Sequence, residues 1–324
     1  MNTDDFKFLV ECAIKAPSGH NTQPWKFENT DTGIIIHPDF ERALPAVDAE
    51  NYELYISLGC ALENMLIAAK QNNYKCSVRY PDNASGSIIV DLTKDDAGKG
   101  TPDILFNEIS KRQVTKRKYN DKPLTVDVLK EFGTCFNFEG ISMRILDGEK
   151  NFKKIIPHII EANNMQFNNR DFLNELVGWI RFSKNEAKKK NDGIWAATMG
   201  MPGIGRLLGR LVMKYFVTAK SEEKRLIELL KHSQGLAIFI SDTNNAEAWV
   251  KTGQAFQRFG LISTRLGVSH AHLNMPCEEI VVRQKLAIEL GIENKHPLLL
   301  IRYGYAERMP YSYRRSIEDV ILWP

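Results

Sequence analysis

The decapeptide APSGHNTQPW occupies residues 16–25 and sets Ser18, His20, Asn21, Thr22 and Gln23 between two prolines, with Trp25 at its far edge. Ahead of it, Phe6, Leu9, Val10, Ala13 and Ile14 recur at helical spacing, and Pro17 predicts where that helix stops. Behind it, KFEN (26–29) and GIIIHPD (33–39) predict a hairpin. The decapeptide is therefore a polar loop between a helix and a sheet. It is either a turn that holds a ligand or only a capped connection, and the rest of the chain has to decide.

Working outward, NYELYISLGCALENMLIAAKQN (51–72) predicts a long, largely apolar helix whose small residues permit close packing. CSVRY (76–80) and GSIIVDL (86–92) predict strands, the second closing before the turn-rich DDAGKGTP (95–102). At Pro102 the chain begins again with a short helix, a basic segment and a proline exit, followed by the strand ISMRILD (141–147). Residues 151–182 predict two helices around a break near Phe167 to Arg170. LAIFISD (236–242) and HPLLLIRYGYA (296–306) predict strands, and 246–267 predicts a second long helix. The two long helices each carry a central glycine, Gly59 and Gly253, which suggests a degenerate internal duplication. Two unrelated packed helices in one α+β domain would leave the same pattern.

The 324 residues, 43% of them hydrophobic and 26% charged, match an ordinary soluble globular protein and argue against disorder or fibrous structure. A net charge of +3 is too small to imply nucleic acid. No apolar run is long enough to cross a bilayer, and the acidic start MNTDDFKFLVEC lacks a secretory pattern, so a cytoplasmic protein without a membrane partner is expected. The scattered cysteines, Cys12, Cys60, Cys76, Cys135 and Cys277, form no knuckle and are expected to be reduced thiols.

Positive charge is concentrated in 181–225, where 11 Lys or Arg face four Asp or Glu, a net of +7. Within it GMPGIG (200–205) predicts a flexible turn and GRLLGRLVMKYF (205–216) a basic amphipathic helix. A membrane-surface helix, a cover over a polyanionic ligand and a solvated excursion all fit this composition. KRQVTKRK (111–118) places five cations in eight residues, the chemistry a phosphate site needs, and SYRRSIED (312–319) adds Arg314 and Arg315. Metal chemistry is weak: His270 and His272 alternate in SHAHLN without a carboxylate motif. The chain has neither G-x-S-x-G nor HExxH, and GMPGIG is neither a P-loop nor a dinucleotide fingerprint.

APSGHNTQPW resembles the flavin-contacting loop of the nitroreductase superfamily, which carries an APSxxNxQPW-type sequence just after a helix. With HPDFERALPAVDAENYELYISLGCALENMLIAA (37–69) it is similar, more narrowly, to the Acg-like branch. The resemblance continues through LFNEISKRQVTKRKYNDKPL (105–124) and IRYGYAERMPYSYRRSIEDVI (301–321) and is thinnest across 130–235. It implies an α+β fold, a nitroreductase-like mixed sheet flanked by helices and internally duplicated as a pseudo-dimer. The first half would be 1–100, holding the APSxxN loop. The second would be 101–324, holding the basic motif and a helical insert at 181–225 that could act as a lid.

The resemblance further implies FMN as cofactor and NAD(P)H as electron donor. Arg112 and Lys116 would grip the FMN phosphate, with Arg117 as near neighbour and Arg314 or Arg315 closing from the tail. Pro17, Ser18 and Asn21 would line the ribityl chain or ring edge, and the backbone from Gly267 to His270 would approach the flavin N5. One departure stands out: Val114 occupies the position of the family's hydroxyl residue. No catalytic side chain or metal is implied. The expected function is an FMN-dependent NAD(P)H oxidoreductase passing electrons to a small nitroaromatic- or quinone-like acceptor, working as a monomeric pseudo-dimer or a homodimer. A flavin-storage protein with little turnover is the rival reading, and nucleic-acid binding through the basic segments a third.

Overall fold

The computed structural model describes residues 1–83, 85–95 and 103–323. Contacts group the chain into two compact units: Met1–Arg112 with Asn245–Arg265 and Arg314–Pro324, and Gln113–Asn244 with Leu266–Tyr313. The grouping is spatial, and the first unit gathers segments from both expected halves. The expected boundary between residues 100 and 101, with most of the DDAGKGTP turn, lies outside the described residues.

The first unit opens with the helix Thr3–Ala13, capped by Asn2, whose side chain accepts from the Asp5 N–H. Its buried Phe6, Leu9, Val10 and Ala13 follow the expected spacing. The sheet contains β1 (Trp25–Asn29), β2 (Gly33–Pro38), β3 (Tyr74–Arg79) and β4 (Ile88–Lys94). In the second unit lie β5 (Ile141–Leu146), β6 (Ile180–Arg181), β7 (Ile194–Trp195), β8 (Gly235–Ser241), β9 (Ser269–His272) and β10 (His296–Gly304); β11 (Ile321–Leu322) returns to the first. The first sheet has the order β11-β1-β2-β4-β3 and is mixed, because β11 runs parallel to β1 with Phe27 opposite Ile321.

In the second unit the main sheet, β5-β8-β10-β9, is antiparallel throughout, and a separate parallel pair joins β6 to β7. The expected mixed sheet is that of the first unit, and the second unit has sheets of its own. The expected break between the helices of 151–182 falls at Asn169, which ends Gly148–Asn168 and caps Arg170–Trp179 by accepting from Asp171 and Phe172. Leu146, Ile155, Ile159, Leu226, Leu230, Ile238, Leu286 and Leu300 form one buried cluster of sheet and helix side chains. No helix among the described residues is long and apolar enough to cross a membrane.

The helices Tyr52–Gln71 and Ala246–Arg265 pack together at their glycines inside the first unit. A Cβ on Gly59 would lie 2.0 Å from the Val250 carbonyl oxygen, and a Cβ on Gly253 would lie 2.0 Å from that of Ile56. The contact is reciprocal. The shift that carries Gly59 onto Gly253 also carries Ile56 onto Val250, Glu63 onto Gln257 and Asn64 onto Arg258. Two equivalent cross-helix pairs follow: Gln257 donates to the Asn64 side-chain oxygen at 2.6 Å, and Arg258 meets Glu63 at 2.6 Å. Two copies facing one another across a two-fold axis make contacts of this kind.

Overpacking at such a crossing typically costs about 1–3 kcal/mol. Gly59→Ala and Gly253→Ala are each expected to destabilise the protein by about 2 kcal/mol or more in denaturant unfolding. Gly133→Ala is the control. A Cβ there meets nothing within 4 Å, and its effect is expected within about 0.5 kcal/mol.

Candidate functional site

The loop at 16–25 is held in an unfavourable backbone conformation. His20, Asn21 and Gln23 have φ of 45°, 55° and 57°, the left-handed region that costs a non-glycine residue about 1–2 kcal/mol, less for asparagine. Such strain persists only where the surroundings over-determine it. Here they do. The Ser18 hydroxyl accepts from the Gln23 N–H at 2.9 Å, and the Arg42 guanidinium donates to the Thr22 carbonyl.

The C-terminal tail supplies the remaining ties within the same unit. The Arg315 backbone N–H donates to the Gln23 side-chain oxygen at 2.8 Å, and its guanidinium donates to the Gln23 carbonyl at 3.0 Å. That guanidinium also meets the buried Asp39 carboxylate at 3.3 Å and donates to the Asp319 carbonyl at 2.7 Å. Arg314 donates to the Asn21 side-chain oxygen at 2.9 Å, across 293 residues of sequence. The tail itself is steadied by β11 beside β1 and by a capping box between Ser316 and Asp319.

Arg112 completes this group. It is buried, and its guanidinium donates to the Lys15 carbonyl at 3.2 Å, just ahead of the loop. Burial, with the neighbouring Arg112 guanidinium adding repulsion, pushes Arg314 down to about 9. Arg315 is lowered by burial and then by Arg42, against the opposing pull of Asp39. The first unit therefore brings together Pro17, Ser18, Asn21, Arg112, Arg314 and Arg315. Pro17 is buried, while Ser18 and Asn21 are half-buried.

The other expected residues fall in the second unit. Lys116 is half-buried, and burial followed by repulsion from Arg225 pushes it down to about 8. Arg117 is a surface residue paired with Glu307 at 3.0 Å. Gly267 takes a left-handed φ of 71° in the turn before β9, a conformation suited to glycine. His270 is buried in β9, and its carbonyl accepts from the Thr115 N–H at 2.9 Å. Within KRQVTKRK the cations sort themselves: Lys111, Arg117 and Lys118 meet Glu108, Glu307 and Glu228.

Asp39 and Arg42 were not among the expected site residues; with Gln23 they organise the loop, and both lie within the stretch 37–69 that carries the resemblance. Thr115, beside Val114, is a buried hydroxyl residue whose backbone carbonyl also accepts from Tyr119 and Arg302. Among the described residues no group of three or more His, Cys, Asp or Glu could hold a metal.

No family model matches the chain. Two proteins of Mycobacterium tuberculosis are similar to it end to end. One, named "Putative NAD(P)H nitroreductase Rv3131", is 21% identical over 339 residues, covering 100% of this chain and 92% of the relative. The other, named "Putative NAD(P)H nitroreductase acg", is 21% identical over 333 residues, covering 99% and 96%. Among solved structures, the FMN-dependent nitroreductase NfnB from Mycobacterium smegmatis in complex with NADPH aligns with a TM-score of 0.41 at 15% identity, over 64% of this chain and 92% of that one. The match runs end to end at 21% identity, and the chain is similar over its whole length to the Acg-like proteins named as putative NAD(P)H nitroreductases.

Proposed function

We propose that this protein is an FMN-dependent NAD(P)H oxidoreductase that delivers electrons to a small nitroaromatic- or quinone-like acceptor. The observation that carries the reading is the grouping of Arg112 and Arg314 at the strained 16–25 loop. The donor set fits the cofactor. Two guanidinium groups that repel each other in a poorly solvated place are stabilised by an anion between them, and planar guanidinium matches phosphate oxygens in pairs. The half-buried Asn21 amide and Ser18 hydroxyl offer both donors and acceptors to a polar ligand beside that anion.

FMN, when bound, supplies the two-electron chemistry, so the protein's work is binding and orientation. Arg112 and Arg314 are proposed to neutralise the phosphate. Asn21, held by Arg314, would orient the ligand, and Pro17 and Ser18 would border it. Arg315 acts differently, because it is engaged by Gln23 and Asp39 and fixes the loop that presents the others. For Lys116, Arg117, Gln113's neighbour Val114, Gly267 and His270 the family resemblance alone suggests roles, with Arg117 already paired to Glu307. The duplication into halves at 1–100 and 101–324, with 181–225 as an insert, is proposed on the reciprocal helix contact and on that same resemblance.

Freshly purified protein is expected to show a flavin absorption spectrum, or to acquire one with added FMN. Under anaerobic conditions NADH or NADPH should bleach it. Bleaching by dithionite but by neither nicotinamide would instead indicate a flavin-storage protein, and failure to take up FMN would refute the cofactor assignment. Arg112→Ala and Arg314→Ala are each expected to weaken FMN binding at least about tenfold in a fluorescence titration, as loss of a charged hydrogen bond does. Arg315→Ala is expected to act on stability, by about 3 kcal/mol in denaturant unfolding, because it strands the buried Asp39.

A further inference from the structure

The helix Arg206–Phe216, RLLGRLVMKYF, divides its surface into three sectors. Gly209 and Met213 point inward, where a Cβ on Gly209 would strike the Phe182 ring and Met213 joins a small core with Ile180 and Phe182. That contact fixes the helix as a platform. Leu207, Leu208, Leu211 and Tyr215 fall within an arc of roughly 100° on a helix of 3.6 residues per turn. All four face solvent, with exposures of 83%, 56%, 51% and 62%, and Phe216 at the end of the helix is 74% exposed. The third sector, adjoining this apolar stripe, carries Arg206, Arg210 and Lys214.

The neighbouring surface continues the charge. Lys188, Lys189 and Lys190 close the preceding helix Lys184–Lys190, and Lys220 and Lys224 stand on the following helix Ala219–Lys231, all exposed. Glu186 meets Arg206, so part of the positive charge is answered locally. Arg181 is spent on the buried Asp192 at 2.7 Å and lies outside this surface. Even so, 181–225 carries a net of +7, and large apolar side chains lie open beside its cations.

We infer that this helix is a docking surface for an anionic lipid bilayer. It would lie in the plane of the interface, with Leu207, Leu208, Leu211 and Tyr215 at the acyl boundary and the basic sector among the headgroups. An apolar stripe bordered by cations suits that boundary, because one side of it rewards buried area and the other attracts positive charge. A neutral apolar partner would leave the basic sector unanswered, and a nucleic acid would leave the leucines in water. The inference is independent of the flavin reading, since it rests on the surface of the second unit alone.

The test is cosedimentation of the full-length protein with phosphatidylcholine vesicles, with and without phosphatidylglycerol, at low and high salt. Binding is expected to the anionic vesicles and to weaken as salt rises. The double variant R210Q/K214Q should lower that binding by about tenfold or more, at roughly 1 kcal/mol per cation at such a surface. The triple variant L207S/L211S/Y215S should abolish it while leaving the circular dichroism and melting temperature unchanged, because none of the three side chains is buried. Three results would overturn the inference. They are no binding to either vesicle, undiminished binding by the serine variant, and a two-copy mass in light scattering that the serine variant reduces to one.

Discussion

A chain of L-amino acids does not hold three left-handed residues in four positions without outside help. His20, Asn21 and Gln23 do so here, and beyond Ser18 and Arg42 the help comes from the far end of the sequence. Arg315 grips Gln23 through both its backbone and its side chain, and Asp39 holds the guanidinium that does the gripping. The local conformation of one loop is therefore a property of the whole first unit. The tail has its place because β1 offers it an edge, and the loop's ties to Arg314 and Arg315 exist only with the tail in that place.

Two adjacent arginines illustrate how burial and partners divide labour between identical side chains. Arg315 is closed in by a carboxylate and carbonyls, which makes it a structural cation. Arg314 reaches a neutral amide and stands near another guanidinium, so burial and repulsion both weigh against its charge. A dipeptide gives no hint of this asymmetry. It depends on Asp39 and Arg112, which arrive from distant parts of the chain.

The same reasoning marks what could be read from the sequence. The first helix, its end before Pro17, the break at Asn169 and the two glycine-centred helices were legible because each depends on near neighbours and periodicity. β11 was not: two residues have no period, and the strand exists only because β1 offers it an edge. The division of the strands among separate sheets was equally hidden, since hydrogen-bond partners are a matter of topology. At KRQVTKRK the density of charge was plain, but Glu307 and Glu228, which occupy two of its cations, lie more than a hundred residues away.

The helix crossing has a consequence for how this protein can change. In a symmetric pair of identical chains every substitution appears on both sides of the axis, so equivalent contacts stay equivalent. Here the equivalent contacts lie in one chain and differ: one is a neutral amide pair, Asn64 with Gln257, and the other an ion pair, Glu63 with Arg258. Under the proposed duplication, a covalently joined pair is free to specialise one flank while the other keeps its old duty. The two glycines cannot take part in that divergence, because each is pressed against the other helix's backbone and neither has room to become anything else.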